Sequence, residues 1–131
     1  MRRSLLRWYG LFLLLVSQLL VFAFGVDSVF ASTAGVTYAL LVVAGTLFVV
    51  AGSRREVSLL GRTLPWNVLA ALGIVCIAAT VLASGFIDLL AGDRSRAALA
   101  YALVASLGAL TLVVIGIDVA RGGRHFRLPD D

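Results

Sequence analysis

Four stretches without a charged side chain run along this chain, separated by short polar segments: Trp8 to Gly25, Ala34 to Gly52, Trp66 to Ile87 and Ala97 to Ile117. Each covers about 18 to 22 residues, and at about 1.5 Å rise per residue a helix of that length crosses a hydrocarbon layer of about 30 Å. The apolarity is continuous rather than alternating, which excludes the strands of a membrane barrel. An unpaired backbone N–H or C=O in lipid costs several kcal/mol, so each stretch is expected to be a helix. The first holds eleven Leu, Val or Phe residues, which at about −0.3 to −0.6 kcal/mol each supply on the order of −3 to −7 kcal/mol of gross insertion free energy. Ser17 and Gln18 offset part of this. The pattern predicts an all-α integral membrane protein, a compact four-helix transmembrane bundle in which residues 1–131 form one four-span domain.

The connecting segments refine that picture. Residues 1–7 carry Arg2, Arg3 and Arg7 ahead of the first apolar run, as a signal peptide would, and Val29-Phe30-Ala31 offers a small-residue cleavage site. The apolar run is longer than that of a cleaved signal, so it reads as an uncleaved first span. Val26 to Thr33 reads as a short turn between antiparallel spans, and Phe86 to Arg96 as a second one on the same side. Residues 53–65 form a basic loop on the other side, with Pro65 suited to a helix start because its missing N–H would have no partner there. Gly122-Gly123 stops the fourth helix ahead of a short polar tail within residues 118–131.

Composition and charge set the orientation. The chain is 61% hydrophobic and 14% charged, outside the balance of a soluble domain. Its basic residues are all arginine, and nine of them (Arg2, Arg3, Arg7, Arg54, Arg55, Arg62, Arg121, Arg124 and Arg127) fall on one side of the four stretches, against Arg94 and Arg96 on the other. The positive-inside rule then expects a multi-pass protein of the cell membrane with both termini and the central loop in the cytoplasm. Trp8, Tyr9 and Trp66 at one interface and Phe30, Tyr38, Phe86 and Tyr101 at the other fit the aromatic belts of such an arrangement. Basic residues beside membrane spans point to lipid head groups and topology rather than nucleic acid.

Small residues at helical spacing indicate which faces pack, because close backbone approach is how helices gain contact in lipid. These are Ala98, Ala102, Ala105, Ala109 and Gly116 in the fourth stretch; Gly73, Cys76, Thr80 and Ser84 in the third; and Gly45 and Gly52 in the second. An internal repeat is suggested by Tyr38-Ala39-Leu40 with Gly45, matched by Tyr101-Ala102-Leu103 with Gly108. It would make the protein two parallel helical-hairpin repeats about an axis along the membrane normal.

Candidate chemistry is sparse. Hydroxyls such as those of Thr46, Ser106 and Thr111 can bond their own helix carbonyls. Gln18 cannot satisfy its amide alone, so Gln18 and Thr80 are the candidates for interhelix polar contact. Arg54, Arg55, Arg62, Arg124 and Arg127 are candidates for lipid head-group contact, with Leu59, Leu60 and Leu64 dipping into the interface between Arg55 and Arg62. A thiol oxidoreductase needs paired cysteines, and there is one, Cys76. Haem or metal ligation in the bundle wants inward His or carboxylates, and the one His is His125 in the tail. Intramembrane proteolysis and proton-coupled transport lack their ionisable groups.

The sequence is therefore expected to encode a protein without enzymatic activity, cofactor or metal. It would serve as an accessory, assembly or interaction subunit whose partners are the lipid bilayer and other membrane helices, or itself. The alternative is a small channel or facilitator for a small or apolar solute, with a polar path past Gln18 and Thr80.

Overall fold

The computed structural model describes residues 3–122. Its elements in chain order are α1 (Arg3–Phe24), α2 (Val26–Phe30), α3 (Ala34–Ser53), β1 (Glu56–Leu59), β2 (Arg62–Pro65), α4 (Trp66–Leu90) and α5 (Arg96–Ala120). The helices α1, α3, α4 and α5 are long and apolar enough to cross a membrane. They outrun the uncharged stretches, α1 starting at Arg3 and α4 continuing past Asp88, because backbone bonding does not stop where a charge begins.

Two connections differ from the turns and loops expected. The segment after α1 is not a plain turn. Gly25, at φ 81°, breaks the helix, and α2 adds one further turn that buries Val29. At the other end, most of the expected loop 53–65 is an antiparallel hairpin over residues 56–65, with Glu56 paired to Pro65, Val57 to Leu64, Ser58 to Thr63 and Leu59 to Arg62. Pro65 is accordingly the last strand residue, in an extended conformation just ahead of α4.

The long helices pack one after another, each antiparallel to the last. Between α1 and α3 the contact is backbone to backbone. A Cβ placed on Gly10 would lie 2.6 Å from the Gly45 carbonyl oxygen, and one on Gly52 would lie 2.5 Å from the Arg7 nitrogen. Leu6, Gly10, Leu13 and Ser17 form the buried stripe of α1, at the spacing of one helix face. Phe48 links three helices: its ring meets Tyr9 of α1 edge-on at 5.5 Å between centroids, and it covers Gly73 of α4.

Between α4 and α5 the small residues interlock. Ala98, Ala102, Ala105, Ala109 and Gly116 are the buried residues of α5, set against Gly85 and Ala71 of α4. Asn67 adds a polar tie, its Nδ2 donating to the Ala120 carbonyl at 2.9 Å. Among the described residues α1 packs on α3, α3 on α4 and α4 on α5, while α1 and α5 share no extended face. The layout is a row with α1 and α5 at its edges, rather than a bundle closed on four sides. The residues matched in the suggested repeat play different parts: Gly45 sits in tight backbone contact, whereas a Cβ on Gly108 would meet nothing nearer than Val81 Cγ1 at 3.8 Å.

The start of α1, the end of α3, the hairpin, the start of α4 and the end of α5 gather at one end. Arg3 lies over the Trp66 ring at 5.8 Å there. Of the described charges, Arg3, Arg7, Arg54, Arg55, Arg62 and Arg121 belong to this basic end with Glu56 and Asp118. The opposite end has Asp27, Asp88, Asp93, Arg94 and Arg96.

Alternation along the hairpin gives it two unlike faces. Val57 and Leu64 are half-buried against the helix core, while Ser58 and Thr63 on the other face are exposed. The turn is Leu60-Gly61, both at positive φ (51° and 77°), the condition for the tight turn that suits strand twist. Leu60 is the one non-glycine residue at positive φ among the described residues. That conformation costs an ordinary side chain about 1–2 kcal/mol, and Leu60 recovers nothing by burial, being fully exposed.

Candidate functional site

The polar side chains within the four long helices are mostly consumed by their own backbones. Ser17 donates to the Leu14 carbonyl at 2.7 Å, Thr46 to Val42 at 2.8 Å, Ser84 to Thr80 at 2.9 Å, Ser106 to Ala102 at 2.7 Å and Thr111 to Leu107 at 2.8 Å. Thr80 belongs with them, and the interhelix contact expected of it is corrected. Its hydroxyl donates to the Cys76 carbonyl at 3.0 Å inside α4, because one hydroxyl proton is satisfied by the carbonyl one turn back without leaving the helix. Ser84, expected on a packed stripe, is exposed, and Cys76 is half-buried with a free thiol.

Gln18 does reach another helix. Its Nε2 donates to the Tyr38 hydroxyl oxygen at 3.2 Å, tying α1 to α3. Tyr38 in turn meets the Phe30 ring edge-on at 5.6 Å, which brings α2 into the same cluster. This is the amide's one hydrogen bond among the described residues, leaving a donor proton and acceptor capacity over. Gln18 is exposed, and it lines an open groove of about 530 Å³ with Leu15, Leu19, Phe22 and Val26. Every lining residue of that groove comes from α1 or the turn after it, so the groove is a dent on the edge helix. Gln18 and Thr80 are not brought together, since α3 packs between their helices.

The described arginines singled out for head groups, Arg54, Arg55 and Arg62, are exposed around the hairpin. Arg124 and Arg127 lie outside the described residues. Among the described residues no group of three or more His, Cys, Asp or Glu side chains is placed to hold a metal ion. Two contacts escaped the sequence reading. Asn67, near the start of the third uncharged stretch, ties α4 to α5, and Tyr38, read as an interfacial aromatic, is the partner of Gln18. No pattern in the sequence pairs Asn67 with position 120; the signal available was that an amide just inside an apolar helix needs a partner.

The fold and these contacts define an all-helical protein with four helices long and apolar enough to cross a membrane, whose buried hydroxyls are satisfied within their own helices. The chain belongs to DUF7994, described as a family of unknown function, whose model matches residues 1–131. No curated protein and no solved structure matches it.

Proposed function

We propose that α1, α3, α4 and α5 span the cell membrane, with the basic end, and so both termini, in the cytoplasm. The protein then acts without enzymatic activity, as an accessory, assembly or interaction subunit that associates with other membrane helices. The arginine imbalance between the two ends supports the orientation, since basic residues in short flanking segments are retained on the cytoplasmic side.

The observation that carries the interaction reading is the outward face of α1. As an edge helix it leaves Trp8, Phe12, Leu15, Leu19 and Phe22 exposed, and Gln18 lies beside them with an amide that is half used. Lipid tails offer that amide no partner, whereas a polar side chain or free carbonyl on another helix does. No more than a third of any of the four spans is buried within the chain, so ample helix surface is left for such contact.

A photocrosslinking side chain placed at Phe22 in native membranes tests this. A discrete crosslinked species larger than the 13.8 kDa chain is expected, and Gln18→Leu should weaken the association about 3- to 30-fold, the equivalent of one interhelix hydrogen bond in lipid. Crosslinks to lipid alone would contradict the interaction reading. Solute flux through reconstituted vesicles that Gln18→Leu abolishes would favour the channel or facilitator.

A further inference from the structure

We infer that the β1–β2 hairpin is a membrane-surface anchor: its tip, Leu59 and Leu60, lies in the interface of the bilayer, with Arg54 and Arg62 on anionic lipid head groups. This rests on the reading of the four helices as membrane spans.

Three features of the hairpin converge on that occupant. The first is continuity. Side chains two apart in a strand share a face, so Leu59 and its cross-strand partner Arg62 continue the face on which Val57 and Leu64 sit. Val57 and Leu64 are half-buried against the helix core, whereas Leu59 is about half exposed and Leu60 wholly so. The apolar face thus continues beyond the part that the protein covers, in a hairpin that joins the end of α3 to the start of α4, and in a bilayer the material beside the end of a spanning helix is the head-group layer. Leu64 itself is turned onto the protein and takes no part.

The second feature is polarity. Glu56, Ser58 and Thr63 occupy the other face, so one side of the hairpin suits water and the other suits the interface, the division found in elements that lie on membranes. The third is the turn. Its first position favours Asn, Asp or Gly, yet it holds a leucine in the left-handed region with no contact to bury it. A leucine kept there against backbone preference is accounted for if its side chain is buried in something other than this chain. The exposed Arg54 and Arg62 make a lipid surface with anionic head groups the complementary one.

The test uses the full chain in vesicles, with Cys76→Ala and an environment-sensitive fluorophore on Leu59→Cys. In phosphatidylcholine vesicles containing phosphatidylglycerol, the label is expected to shift to the blue and to be quenched by lipids carrying a spin label near the head group. The same fluorophore on Ser58→Cys is expected to stay water-like. Arg62→Gln should reduce the docked fraction about fivefold, and high salt should act in the same direction. Leu60→Asn, which suits the turn and keeps the hairpin folded, should abolish the shift. A Leu59 label as water-like as the Ser58 label in these vesicles overturns the proposal. A label on Leu107→Cys, an exposed position at the middle of α5, read with lipids that carry the spin label deep in the acyl chain, separates the two failures. If it is quenched by lipid while Leu59 is not, the hairpin inference falls and the spans stand; if neither is quenched, the spanning reading falls and takes the inference with it.

Discussion

Phe48→Ala is expected to lower stability by about 2–3 kcal/mol. In a water-soluble core the same change costs about 3–5 kcal/mol, partly as lost transfer from water and partly as a cavity. If the helices lie in a bilayer, as proposed, the transfer part lapses, since a separated helix exposes the ring to lipid that is as apolar as the protein interior. The cavity and the lost dispersion contacts remain. They are large here because Phe48 is 2% exposed and touches Tyr9 on one side and Gly73 on the other. One substitution therefore loosens the α1–α3 and α3–α4 contacts together. Reversible unfolding of the purified protein in mixed micelles measures it; a loss below about 0.5 kcal/mol, the range of surface substitutions, would mean that the ring does not hold the three helices.

The second large effect is a difference in sign between two glycines. Gly10→Ala is expected to destabilise by about 1–3 kcal/mol, the cost of forcing an extra methyl into a packed contact. The new Cβ would meet the Gly45 carbonyl oxygen at 2.6 Å and the Val49 nitrogen at 2.7 Å, and neither is a side-chain end that can rotate away. Room could come only from moving α1 off α3. Gly108→Ala places its Cβ 3.8 Å from Val81 Cγ1, ordinary contact, and should stabilise by about 0.5–1 kcal/mol, as alanine does over glycine within a helix. Both variants in the same unfolding assay give the comparison, and equal responses would contradict the close α1–α3 approach.

The sequence was most informative about α5 and least about α1 and the basic end, for reasons that follow from the row. An edge helix with one neighbour buries a single stripe, and in α5 that stripe was made of small residues at helical spacing, so Ala98, Ala102, Ala105, Ala109 and Gly116 could be read directly. The inner helix α4 serves two neighbours. A one-stripe reading therefore found Gly73 but took Ser84 for packed, and it passed over Ala71 and Ala78, which are buried. In α1 the buried face includes the large Leu6 and Leu13 beside Gly10, and large apolar residues also cover its exposed face, so periodicity had no contrast to work with.

The hairpin was missed because its turn is Leu60-Gly61 rather than an Asn-Gly or Asp-Gly pair, although Glu-Val-Ser-Leu does alternate as a strand should. For the polar contacts, residue chemistry went only part of the way. That an amide must find a partner was legible for Gln18, but which residue would supply it depended on how α1 and α3 slide past each other, and that register is set by Gly10 and Gly45. Thr80 illustrates the reverse case, a hydroxyl with a partner already one turn away.

The most direct measurement is the side from which the two ends of the helices can be reached. With Cys76→Ala removing the one native thiol, Ser28→Cys in α2 and Ser58→Cys in the hairpin place single thiols at exposed positions of opposite ends. In sealed right-side-out membrane vesicles a maleimide that does not cross lipid is expected to label Ser28→Cys at once and Ser58→Cys only after the vesicles are opened. Labelling of Ser58→Cys in sealed vesicles, or equal labelling of both without opening, would contradict four spans oriented by their arginines.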